Sequence, residues 1–175
     1  MKYPSLRFSI YPLMILLCLA FGCGRKAEKP DAGKKARTDL ELDPIPFAVK
    51  DALKARFPQA EIREWTREEE GGLAVYDIEF RQEDRKYEAD IGEDGAIHNW
   101  EKEIPYKDLP EAVKGAVQKK CPQSAVHEVM EITAVNDGKD TLEGYEIALT
   151  AADKKEFEVS VAPDGKILED SRESQ

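Results

Sequence analysis

The chain has 175 residues, with 26 Lys and Arg against 36 Asp and Glu, a formal net charge of −10. Eight of those basic and five of the acidic residues precede position 44, so the remainder carries −13. A surface of that sign excludes nucleic acid, which needs a positive footprint. Cys18, Cys23 and Cys121 are the three cysteines, and with two of them near the N-terminus a disulfide framework is excluded.

Residues 1–22 read as an export signal. Lys2 and Arg7 give a positive start, and Leu13 to Phe21 an uncharged apolar run too short to cross a bilayer core of ~30 Å. Ala20-Phe-Gly-Cys23 is similar to the lipobox of bacterial lipoproteins, so Cys23 is the expected lipid attachment site and the expected membrane contact. An ordinary cleaved signal with an incidental cysteine is the alternative. Residues 23–43 lack apolar periodicity and read as a tether, with Arg25, Lys26, Lys29, Lys34, Lys35 and Arg37 giving it a basic bias.

The rest of the chain is written twice. Pro46 to Gln59 returns 64 residues later as Pro110 to Gln123, with seven of 14 positions identical. Val49, Ala52, Leu53 and Phe57 fall on one face at helical period, as do Val113, Ala116, Val117 and Cys121. Pro46 and Pro110 are expected in the first turn of each helix, with Asp43 and Asp108 as caps. Pro58 and Pro122 end the helices. Cys121, aligned with Phe57, reads as a small buried hydrophobe.

Ala60 to Arg67 and Ala125 to Val135 are the expected first strands. Tyr76, Ile78 and Phe80 alternate with Asp77 and Glu79, and Tyr145, Ile147 and Leu149 repeat that pattern. Tyr87, Ala89 and Ile91, then Phe157, Val159 and Val161, mark the next strands. Asp94-Gly95 and Asp164-Gly165 mark hairpin turns. Ile97 and Trp100, or Ile167 and Leu168, lie on a fourth strand. The expected fold class is α+β: two tandem modules, 44–104 and 105–175, each one helix packed on an antiparallel sheet of about four strands. Glu101 to Leu109 is the expected connector. The modules could extend one sheet or pack side by side.

Motifs for catalysis, a transition metal or a nucleotide are missing from this pattern. Glu79 with Glu88, and Glu146 with Glu158, pair carboxylates on the polar phase of the strands. A solvated sheet face is the expectation, with an acidic hydrolase dyad as its rival. Asp137, Asp140 and Glu143 suggest calcium but fail the EF-hand spacing. Trp65 and Trp100 have no aromatic counterpart in the second copy, which makes them candidate partner contacts, with core packing as the other reading.

Pro46-x-Ala-Val-Lys50 through Phe57-Pro58, the Tyr76 and Tyr87 strands and Asp94-Gly95-x-Ile97 resemble the PepSY-like, beta-lactamase-inhibitor-like family of exported bacterial proteins. The same elements recur from Pro110 to Ile167. The resemblance implies tandem helix-plus-sheet modules with a concave or flat sheet surface. It also implies proteins that bind or inhibit other proteins, with no catalytic residues to carry over. The expected function is a non-enzymatic exported lipoprotein, without cofactor or metal, that binds a protein or peptide of the cell envelope. One form of this is an inhibitor of an envelope hydrolase. The alternative is a small-molecule or calcium sensor using the acidic loops.

Overall fold

The computed structural model describes residues 45–70 and 72–173. The expected signal, Cys23, the tether and Asp43 lie outside the described residues. The elements run α1 (Phe47–Arg56), β1 (Glu61–Glu70), β2 (Leu73–Gln82), β3 (Arg85–Gly92) and β4 (Ile97–Glu103), then a single 3-10 turn at Tyr106–Asp108. They continue with α2 (Glu111–Lys120), β5 (Ala125–Asn136), β6 (Lys139–Thr150), β7 (Glu156–Val161) and β8 (Ile167–Asp170). The eight strands form one sheet in sequential order, and every neighbouring pair is antiparallel. The two sequence copies therefore meet along a ladder from Asn99↔Ala134 to Glu103↔Met130.

Strand side chains alternate between faces, so the register assigns each residue a side. Tyr76, Ile78 and Phe80 stand opposite Ile91, Ala89 and Tyr87 and pack beneath Val49, Leu53 and Phe57. Followed through Ala89↔Trp100, Lys102↔Glu131 and Glu131↔Tyr145, the same face reaches Ile147, Val159 and Val161 under Val113 and Val117. Both helices thus cover one side of the sheet. Each has only ten residues, too few for stability alone, and is held by burying its apolar stripe.

The local devices recur at matching positions. Lys50 and Lys114 N–H donate to the carbonyls of Pro46 and Pro110 at 3.1 and 3.0 Å. The prolines are helix caps with φ of −55° and −57°, one position earlier than first-turn residues. Asp108 lies in the 3-10 turn and makes no side-chain bond to α2. The Pro110 carbonyl accepts the first intrahelical bond, and no side chain caps the first-turn N–H groups. Register shifts follow Ile62 and Val126, and precede Ile91 and Val161.

In the hairpin turns, Asp94 and Asp164 carboxylates each accept the N–H two residues on, at 2.9 Å. Gly95 and Gly165 both have φ of +88°, which a side chain resists. A methyl group there would sit 3.0 Å from the Ala48 carbonyl oxygen, or 2.6 Å from that of Ala112. Each Asp-Gly therefore turns a hairpin and also seats it against the first turn of a helix.

The expected connector is shorter than Glu101 to Leu109. Glu101, Lys102 and Glu103 belong to β4, because their backbone groups find partners in β5.

Candidate functional site

The opposite face of the sheet is covered by no described helix. Its residues are the strand positions that alternate with the core: Glu79 on β2, Lys86 and Glu88 on β3, Asn99 and Glu101 on β4, Glu128, Met130 and Ile132 on β5, Glu146 on β6, and Glu158 on β7. A solvated face was the expectation, and the structure corrects it. Met130 and Ile132 are buried here, and Glu101 is 1% exposed. Asn99 is also buried and donates to the Asp90 carboxylate at 2.7 Å.

The face curves inward. Lys86 on β3 places its ammonium 3.2 Å from Glu128 on β5, reaching over β4, and also contacts Glu88 at 2.9 Å and Glu79 at 3.7 Å. Burial opposes its charge, yet Glu88, Glu128 and Glu79 together hold its pKa well above the usual ammonium value. Glu158 on β7 is pushed up to about 7, first by burial and then by Glu88 and Glu128, with Lys86 opposing. On a flat sheet β3 and β7 would be four spacings apart, about 19 Å. Twist and coiling bring their carboxylates within electrostatic reach. The result is a trough with an apolar and amide floor at β4–β5 and carboxylate walls.

That arrangement sets a pH dependence. A carboxyl whose pKa is higher folded than unfolded binds more protons in the folded state, so stability falls as pH rises between the two values. For Glu158 the window runs from the ordinary carboxylate value near 4.5 up to about 7. Discounted for its solvent-facing edge, the loss is on the order of 1–2 kcal/mol. Denaturant melts at pH 5 and pH 8 should show it, and Glu158→Gln should flatten the difference. An unchanged slope in the variant would remove Glu158 as its source.

Trp65 and Trp100 sit on the helix side, half-buried against the α1 core. The Trp65 ring is 6.0 Å from Tyr76. Trp100 meets Phe57 edge-on at 5.8 Å, beneath the Arg56 guanidinium at 5.3 Å. In the second copy Asp170 occupies the Trp100 position, opposite Val159 as Trp100 is opposite Ala89. Asp170 is buried and binds Arg172 through two bonds of 2.8 and 2.6 Å. Arg172 in turn lies over the Phe157 ring at 4.0 Å and donates to Cys121 Sγ at 3.5 Å. Cys121 is buried, as read from Phe57, and burial pushes its thiol pKa up.

The acidic hairpin residues are dispersed. The Asp140 carboxylate is held by Arg56 of the first copy, Asp137 occupies a left-handed turn position at φ +50°, and Glu143 is the extra residue at the β5–β6 register shift. Among the described residues no group of three His, Cys, Asp or Glu is placed to hold a metal ion. The Glu79–Glu88 pair lies directly across strands with Lys86 beside both. Glu146 stands opposite Ser160, two positions from the Ala148↔Glu158 pair and on the same face. Lys86, Glu101 and Glu128 are the residues of this face that sequence reasoning missed. Their only signal was a lysine within the acidic phase of alternating strands.

The described residues form an antiparallel meander with both helices on one side and a polar face on the other. The family described as "Putative beta-lactamase-inhibitor-like, PepSY-like" matches residues 33–98 and 74–169, and the chain belongs to it. The fold is shared with a DUF2874 family protein from Bacteroides uniformis ATCC 8492 (TM-score 0.57, 16% identity, covering 71% of this chain and 87% of that one). It is shared equally with a structure described as "putative periplasmic proteins" from Bacteroides eggerthii DSM 20697 (TM-score 0.57, 17% identity, 71% and 86%). A DUF2874 family protein from Bacteroides ovatus ATCC 8483 is similar at TM-score 0.54 and 14% identity, over 73% and 87% of the two chains. No curated protein matches the chain.

Proposed function

We propose that this chain is a non-enzymatic exported lipoprotein, anchored through Cys23, whose two tandem helix-plus-sheet modules present the trough to a protein or peptide of the cell envelope. Inhibition of an envelope hydrolase is its specific form. The carrying observation is the face opposite the helices, onto which the register brings polar side chains from β2 to β7. The inhibitor-like family and the periplasmic description of a structural relative support the class and the address. The matching register shifts and turn contacts support reading the sheet as two modules. Trp65 and Trp100 have a secondary part, with half-exposed edges available for aromatic contact on the helix side.

The test is capture from envelope extract with the full chain as bait, beside four single variants. Ser160→Arg and Glu146→Arg place bulk in the trough; Gln118→Arg alters the exposed outer side of α2; Trp100→Ala alters the helix-side core. A stoichiometric partner should be lost with both trough variants and kept with Gln118→Arg. Retention with both trough variants would assign binding to another surface and end this reading. Loss with Trp100→Ala in a chain of normal fold would establish the tryptophan contact.

A further inference from the structure

The chain contains three Asp-Gly pairs, Asp94-Gly95, Asp137-Gly138 and Asp164-Gly165, and the fold holds one of them differently from the other two. All three aspartates are exposed, so access to water does not distinguish them. We propose that Asp137 is a site of spontaneous covalent modification, at which the folded chain converts its own aspartate to isoaspartate. The reaction needs only water and is independent of the binding role. The Gly138 amide nitrogen bonds to the side-chain carboxyl carbon of Asp137, and the amide proton leaves with the carboxyl hydroxyl as water. The product is a five-membered succinimide ring. Water then adds to one of the two ring carbonyls. Opening at the side-chain carbonyl restores aspartate. Opening at the backbone carbonyl leaves Gly138 joined through the former side chain, which is isoaspartate. Glycine obstructs this ring closure least, because it has no side chain.

At Asp94 and Asp164 both reacting groups are already engaged. Their carboxylates accept the Ala96 and Lys166 N–H groups at 2.9 Å. The nitrogens that would attack are also held: Gly95 N–H donates to the Gly92 carbonyl at 2.8 Å, and Gly165 N–H to that of Ala162 at 2.9 Å. Both glycines lie against the first turn of a helix, at the Ala48 and Ala112 carbonyls, which restrains rotation of the turn. Asp137-Gly138 has none of these restraints. It is the two-residue turn between Asn136 and Lys139, with φ of +50° and +73°, the left-handed pair that such a hairpin uses. Among the described residues, none accepts the Gly138 N–H or donates to the Asp137 carboxylate. Nothing lies within 4 Å of where a Gly138 Cβ would stand, so the turn has room to rotate into the ring. The product adds one backbone carbon inside the turn that sets Asn136↔Lys139 and Val135↔Asp140. Asp140 is also the residue that Arg56 of the first copy holds, so the modification loosens the hairpin tip at a tie between the copies.

The test is ageing of the full chain for several weeks at neutral pH and body temperature, followed by tryptic digestion. Trypsin places Asp94, Asp137 and Asp164 on separate peptides, 87–102, 121–139 and 156–166. Isoaspartate has the mass of aspartate, so it is read as a second chromatographic form of one peptide and located by fragmentation. Deamidation of the adjacent Asn136 raises the mass and is thereby told apart. The Asp137 peptide should split at least about tenfold faster than the other two, the worth of one or two hydrogen bonds. In urea, where the turns are lost, the three should react within about twofold of one another. Equal rates in the folded chain would overturn the proposal. The same rate differences in urea would also overturn it, because sequence and not the fold would then set them. Amide hydrogen exchange over 135–140 should be faster in the aged chain than in the fresh one, and unchanged exchange there would overturn the loosening of the tip.

Discussion

Gly165→Ala is expected to destabilise the protein by about 2–4 kcal/mol, although it adds one methyl group to a surface turn. The residue sits at φ +88°, where a side chain costs about 1–2 kcal/mol. The new Cβ would also lie 2.6 Å from the Ala112 carbonyl oxygen. That atom is helix backbone in the first turn of α2 and cannot swing aside as a side chain would, so overpacking adds roughly 1–3 kcal/mol. Gly95→Ala should cost less, since its contact with the Ala48 oxygen is 3.0 Å at the same φ. Two further glycines separate the causes. Gly138 has φ +73° with open space around it, so Gly138→Ala reports the backbone cost alone. Gly144 has no positive φ, yet its Cβ would meet the Val161 oxygen at 2.6 Å, so Gly144→Ala reports the clash alone. Urea denaturation of the four variants should place Gly165→Ala as the most damaging and Gly138→Ala as the least. Equal losses at 165 and 138 would mean that the turn does not press on the helix.

The Asp-Gly turns were legible because they are local: four residues and one positive φ write their own signal. The strands were legible for a related reason, since alternation over five residues needs no knowledge of the partner. The helices were readable from apolar spacing and from Pro58 and Pro122 as stops. What failed to show was anything decided across strands. Glu101 carries a charge next to a proline-containing segment and reads as connector. Only the β5 ladder reveals that its backbone is paired and its side chain buried. The choice between one shared sheet and two packed side by side depended on that same ladder. The trough was hidden for the same reason. Glu79, Glu88, Glu128 and Glu158 each look solvated on their own strand, and their meeting around Lys86 follows from coiling of the whole sheet. Trp65 and Trp100 stood out as unrepeated aromatics. The sequence could not say that Asp170 with Arg172 and Lys120 takes over the Trp100 position in the second copy.

Phe80→Ala is the second large expected effect, and it tests how far the two halves of the sheet depend on each other. Phe80 is fully buried, with its ring 4.8 Å from Phe57 and stacked on Tyr87 at 5.3 Å. Truncation removes transfer free energy and leaves a cavity, together about 3–5 kcal/mol. Loss of the ring pairs adds to the upper end of that range. Its counterpart Leu149 packs near Cys121, where rings are fewer and the side chains smaller, so Leu149→Ala should cost less, about 2–4 kcal/mol. The two cores are separate clusters, which would permit two melting steps. They are nevertheless joined by the five-residue β4–β5 ladder, by Lys86 with Glu128, and by Arg56 with Asp140. A module of about 65 residues buries too little surface to stand well alone. We therefore expect one calorimetric transition in the natural chain, and one in Phe80→Ala lowered by about 10–20 °C. Two transitions, of which Phe80→Ala moves only one, would instead make each half an independent folding unit. The trough would then lose its rigid floor at the β4–β5 seam, because Glu101 and Ile132 would come from bodies free to part.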